Sequence, residues 1–193
     1  MYNILMKLYL VRHGLAEHNV AAKLFGESAY EMPEYTDSKL TEIGFFQAKT
    51  ASEKMKDVVF TDIYCSSLTR CIQTCDNLIK TDLVVNLSDL LMEPQGYHIC
   101  NKRSDKCQIE IKLKNFSNKY DLTRIVENYV FHKETEEELD GVISAFHNIL
   151  KKYNQNDNIL IISHHDWLQR FLKNIFNIDY SFQNCEVKII ELN

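Results

Sequence analysis

The chain has 193 residues, 45% of them hydrophobic and 25% charged, a composition that fills a globular core and excludes a disordered or fibrous chain. Its formal charge of −5 argues against a broad nucleic-acid-binding face. Any anion site must be a local concentration of Arg, His and amide groups, set against a mildly repulsive whole-molecule field.

The first element is an apolar run from Ile4 to Val11, broken by Lys7 and closed by Arg12 and His13. It is too short to span a membrane and carries no cleavage pattern, so it reads as a core strand near residues 5–12 of a cytoplasmic chain. A short helix near 15–24 and a polar loop over 30–38 follow. Thr41 is placed to cap a helix reaching about Lys56. Val58–Cys65 reads as a second strand, Leu68–Lys80 as a helix, and Leu83–Asn86 as a third strand. Residues 87–133 read as irregular and polar, with short helices. Leu139, Val142, Ile143, Phe146, Ile149 and Leu150 recur at helical spacing, predicting a long helix over 134–153 with one buried face. A fourth strand at Ile159–Ser163, a helix at 167–176 and a closing strand at 186–192 complete the order. Alternating strands and helices predict an α/β fold, a three-layer α/β/α sandwich on a mostly parallel sheet. The whole chain, 1–193, reads as one domain, with 87–133 as a variable, substrate-facing insertion.

Six cysteines show no Cys-x-x-Cys spacing, so reduced, mostly buried thiols are expected in preference to a zinc site. Two apolar runs end abruptly in chemistry. Leu8–Val11 leads into Arg12-His13-Gly14, and Ile159–Ile162 opens into Ser163-His164-His165. Ligands bind at the C-terminal edge of such sheets, where loop amides converge. An arginine and two histidines there suit a phosphoryl group: arginine clamps its oxygens, and a neutral imidazole can attack phosphorus. That attack needs the remote ring nitrogen tied as a donor to a carbonyl. Gly14 permits a sharp turn close to a phosphate. Asn19 follows with an amide to donate. Only five arginines occur, and Arg70 lies where a strand passes through Ser66-Ser67 into a helix. Cys65 precedes Arg70 by four intervening residues, one short of the loop a cysteine-dependent phosphatase uses.

Four motifs occur together: Arg12-His13-Gly14 with Asn19; Asp37-x-x-Leu40-Thr41-x-x-Gly44-x-x-Gln47-Ala48; Ser66-Ser67-Leu68-x-Arg70-x-x-Gln73-Thr74; and Ser163-His164. In this order the chain resembles the histidine phosphatase superfamily, which includes the phosphoglycerate mutases. His18-Asn19-Val20-Ala21 and Gly96-x-His98-x-Cys100-Asn101-Lys102-Arg103 are similar to its plant and fungal phosphoglycerate mutase-like members. The resemblance implies that His13 becomes phosphohistidine, that Arg12, Arg70 and His164 surround the phosphoryl oxygens, and that Glu93 is the acid/base, with Asp89 and Glu110 as alternatives. Asn19 and His165 are expected to face substrate. Lys102 and Arg103 either bind a second anionic group or form a solvated charge pair. The family's mutases carry a Phe-Gly-x-x-Glu-Gly stretch near the acid that is missing here, which favours hydrolysis of a small phosphomonoester without metal or organic cofactor. Mutase activity and a non-catalytic phosphate-binding module are the alternatives. The residues carry no signal for oligomeric state.

Overall fold

A computed structural model describes residues 5–192, so Ile4, the start of the apolar run, lies outside it. Its strands are β1 (Met6–Arg12), β2 (Asp62–Ser66), β3 (Val84–Ser88), β4 (Lys119–Arg124), β5 (Asn158–Ser163) and β6 (Val187–Leu192). Its α-helices are α1 (Glu17–Phe25), α2 (Glu42–Ser52), α3 (Thr69–Leu78), α4 (Lys106–Leu113), α5 (Glu136–Leu150) and α6 (His165–Phe176). The strands form one sheet in the order β4-β3-β2-β5-β1-β6. All neighbours are parallel except β1 and β6.

Inner parallel strands are covered on both faces, which is why their sequences are continuously apolar. Alternate residues nonetheless divide between two cores. Tyr9 and Val11 of β1, with Ile63, Cys65, Leu160 and Ile162, pack under α2, α3 and α4. Leu8, Leu10, Tyr64, Ile159 and Ile161 pack under α5 and α6. Phe146 of α5 closes the second core, edge-on to Tyr64 and Trp167 at ring separations of 5.4 Å. The three layers are thus those expected from the alternating pattern. Among the described residues no helix is long and apolar enough to cross a membrane.

Two boundaries follow from local chemistry. Thr41 caps α2 as expected, accepting the Gly44 amide at 3.1 Å, and Thr135 caps α5 by accepting the Glu138 amide at 3.2 Å. Residues 87–133 depart from expectation. They hold not only short helical turns and α4 but also β4, which extends the sheet beside β3. Its sequence, Lys-Tyr-Asp-Leu-Thr-Arg, is polar because an edge strand has one unpaired side.

Gly14 and Gly44 bring the loop after β1 against the start of α2. A Cβ on Gly44 would sit 2.3 Å from the Leu15 carbonyl oxygen, and one on Gly14 would sit 2.6 Å from that of Gly44. Both obstacles are backbone and cannot turn aside. Gly44→Ala is expected to cost about 2–3 kcal/mol in urea unfolding, a typical overpacking penalty; an unchanged midpoint would show that this contact can open freely.

Candidate active site

Three strand ends meet at one level of the sheet edge. Register pairs Arg12 with Ser163 and Cys65 with Ile162, so β1, β5 and β2 release His13, His164 and Ser66 side by side. The His13 amide donates to the Ser163 carbonyl at 3.0 Å. The loop amides that follow are bracketed by side chains from the helices. Gly14 N–H donates to Thr74 Oγ1 at 3.0 Å, Leu15 N–H to Gln47 Oε1 at 2.8 Å, and Leu40 N–H to Gln73 Oε1 at 2.8 Å. Gln47, Gln73 and Thr74 therefore shape the loop. Asp37, at φ 47°, accepts the Thr69 amide at 2.8 Å and pairs with Lys112 at 2.8 Å, fixing the start of α3.

His13 is buried, and its Nδ1 lies 2.7 Å from the Gly14 carbonyl oxygen. A carbonyl can only accept, so Nδ1 carries the proton and Nε2 is left with its lone pair. Arg70 Nε donates to that Nε2 at 3.2 Å. Burial, then the Arg70 and Arg12 charges, holds the ring well below the usual 6.5, so it is neutral at physiological pH. Arg70 is itself buried and fixed, its Nη1 on the Cys100 carbonyl and its Nη2 on Asn101 Oδ1, both at 2.9 Å. Asn101 Nδ2 in turn donates to the Pro94 carbonyl at 3.0 Å. Arg12 Nη1 is anchored on the Phe182 carbonyl at 2.8 Å.

Glu93 comes from the turn after β3. Its carboxylate accepts the Asp166 and Trp167 amides at 3.2 Å, at the start of α6. Those donors favour the charged form, yet burial and the neighbouring Asp166 carboxylate push its pKa up to about 7. Arg12, His13, Arg70, Glu93, Asn19 and His165 all border one cavity of about 220 Å³. His165 is held by its Nδ1, 3.2 Å from the Phe182 carbonyl. Asn19 donates to His18 Nε2 at 3.0 Å and accepts the Ala16 amide at 3.2 Å.

Other expected site residues stand elsewhere. His164 is fully buried beside His13, ring centroids 5.1 Å apart, but its Nε2 lies 2.8 Å from Ser66 Oγ and the ring does not border the cavity. Lys102 is exposed and also borders no part of it. Arg103 requires a correction, being neither a solvated charge nor a contact of this cavity. It is 2% exposed, bound to Asp89 Oδ2 at 3.0 Å and the Ser104 carbonyl at 2.8 Å. Tyr129 covers its guanidinium, ring centroid 4.2 Å away. Asp89 is thereby committed to Arg103 and Ser67, and Glu110 lies exposed on α4.

Sequence reasoning missed the aromatic wall of the cavity. Rings run outward from His13 through His18 (6.1 Å) and Tyr30 (5.7 Å) to His98 (4.8 Å). Burial and the two arginines push His18 down to about 2, so it is a neutral wall. The motifs containing His18, His98 and Asn101 were the available signal. Gly96, which opens the second of these motifs at φ +81°, packs so closely on Lys133 that a Cβ would lie 2.1 Å from its Cα.

A family model, the histidine phosphatase superfamily (branch 1), matches residues 8–193. The fructose-2,6-bisphosphatase TIGAR B of Danio rerio is 28% identical over a stretch that covers 58% of this chain and 40% of that protein. A protein of Arthroderma benhamiae named "Probable phosphoglycerate mutase" is 32% identical, over 53% of this chain and 38% of its own length. The chain thus spans about two fifths of these curated relatives. The alpha-ribazole phosphatase of Shigella flexneri has the same fold, with a TM-score of 0.68 at 19% identity over 97% of this chain and 91% of that one.

Proposed function

The chain belongs to the histidine phosphatase superfamily, and we propose that it is a phosphomonoesterase working through a phosphohistidine on His13. The observation that carries this reading is the state of His13. Its proton is committed to the Gly14 carbonyl while its free lone pair faces a fixed guanidinium. When a phosphomonoester enters, Arg70 Nε transfers from the imidazole to a phosphoryl oxygen, and Arg12 meets another. Nε2 then attacks phosphorus as the P–O bond to the alcohol breaks, with developing charge spread over oxygens already faced by arginine. Glu93, protonated, gives its proton to the leaving oxygen. It then removes a proton from the water that attacks the P–N bond, releasing phosphate and restoring His13. His164 packs against His13 and keeps its ring in line.

Hydrolysis is favoured over phosphoryl transfer between substrate positions. The cavity shares its His98, Asn101 and Asp166 walls with a wider groove of about 750 Å³, through which water can reach the phosphoenzyme. In this reading 87–133 supplies the substrate side of a single domain.

With EDTA present, at about pH 6, the protein is expected to turn over an aryl phosphate. Quenched early, it should carry a label stable to alkali and labile to acid, as a phosphohistidine is. A protein that binds vanadate yet gives neither turnover nor label would overturn the reading in favour of a phosphate-recognition module.

A further inference from the structure

The groove beside the cavity bears on what the leaving alcohol is. Glu93 faces the phosphoryl pocket, and the next residue, Pro94, is already a wall of the groove. The α6 turn that holds Glu93 continues into the opposite wall through Gln169, Arg170 and Lys173. An alcohol whose oxygen takes the Glu93 proton must therefore extend into this space.

Its electrostatics are lopsided. Arg170 is held by two carboxylates, Glu136 at 2.6 Å and Asp140 at 2.8 Å, and Lys173 is held by Asp179 at 2.9 Å. Each cation bordering the groove is thus already matched, while Asp166 makes no direct ion pair among the described residues and lies near the Arg12 charge. Of the basic residues nearby that do not border the groove, Arg103 is turned inward to Asp89 and sealed under Tyr129, while Lys133 and Lys188 lie over the Tyr97 and Tyr180 rings, 4.6 and 4.5 Å from their centroids. Three carboxylates, Glu136, Asp166 and Asp179, thus border the groove against two cations, Arg170 and Lys173, an acidic balance that disfavours a second phosphate or a carboxylate. The rest of the lining is rings, amides and aliphatic groups, with Tyr97, His98 and Tyr180 offering aromatic surface and hydrogen-bonding edges.

We propose that this groove selects phosphomonoesters whose alcohol carries no negative charge, neutral or ammonium-bearing, and discriminates against phosphoglycerates and sugar bisphosphates. This rests on the phosphohistidine reading for the direction in which the alcohol leaves.

Binding tests it without turnover. His13→Ala, and separately Glu93→Gln in case the first fails to fold, would be titrated calorimetrically with phenyl phosphate, phosphocholine, 3-phosphoglycerate and fructose 1,6-bisphosphate. The first two are expected to bind at least about tenfold tighter than the last two, a gap that narrows at high salt. Asp179→Asn, which releases Lys173, should narrow it as well. Equal or tighter binding of either anionic alcohol overturns the proposal, as does measurable binding of none. A wild type that shows this preference but never turns over a phosphomonoester would instead count against the phosphohistidine reading alone.

Discussion

Replacing His13 with alanine is expected to lower kcat by at least about four orders of magnitude and to abolish the acid-labile label, because no other group can take its place in line. Two further imidazoles pack near its ring, with centroids 6.1 and 5.1 Å away. His18 Nε2 is occupied by the Asn19 amide, and His164 Nε2 faces Ser66 on the far side of the cavity wall. Among the described residues only His13 joins a lone pair to an arginine donor at the cavity. Residual activity above about 1% of wild type would place the nucleophile elsewhere, with His18 the first to examine. Loss of activity through misfolding would show separately. The side chain makes one local hydrogen bond and one to Arg70, so truncation should cost only about 1–3 kcal/mol of stability and leave the variant folded.

The parts legible in the sequence were those where a single physical requirement dominates. Leu8–Val11 and Ile159–Ile162 are apolar without interruption because both faces of their strands are covered, and the residues that end them are chemical because the sheet edge faces ligand. Long amphipathic α5 and the cap Thr41 were equally readable. The strand β4 was not. At an edge, Lys119, Asp121 and Arg124 are compatible with solvent, and only Tyr120 and Leu122 turn toward the core, too short an alternation to outweigh the charges. Arg103 was misplaced for a related reason. Its partner Asp89 lies fourteen residues away and the ring above it, Tyr129, twenty-six, so neither the ion pair nor its cover is written in local spacing. His18, Tyr30 and His98 become one wall only when three separated turns converge, a tertiary fact with no periodic trace.

Glu93→Gln is expected to move activity and stability in opposite directions. Without an acid for the leaving oxygen and a base for water, kcat should fall by about 10²–10⁴-fold. In the wild type, kcat/KM reports transfer to His13 and needs the protonated carboxyl. It should therefore fall about tenfold per pH unit above about 7, a limb that the variant lacks. Asp166→Asn removes a charge that opposes ionisation of Glu93 and should shift the same limb to lower pH. The stability consequence has the reverse sign from an ordinary paired carboxylate. A carboxyl raised from 4.5 to about 7 by folding imposes no penalty below the lower value, and the penalty grows as pH rises to the upper one. Above pH 7 the native state then carries an unfavourable charge worth up to about 3 kcal/mol, which glutamine removes while still accepting the Trp167 amide. Glu93→Gln should unfold at higher urea than wild type at about pH 8, with the difference vanishing near pH 4.5. A variant less stable than wild type at pH 8 would mean that the two amides at the start of α6 favour the carboxylate more than burial opposes it. Glu93 would then be ionised near neutrality, and the proton for the leaving alcohol would have to come from another group.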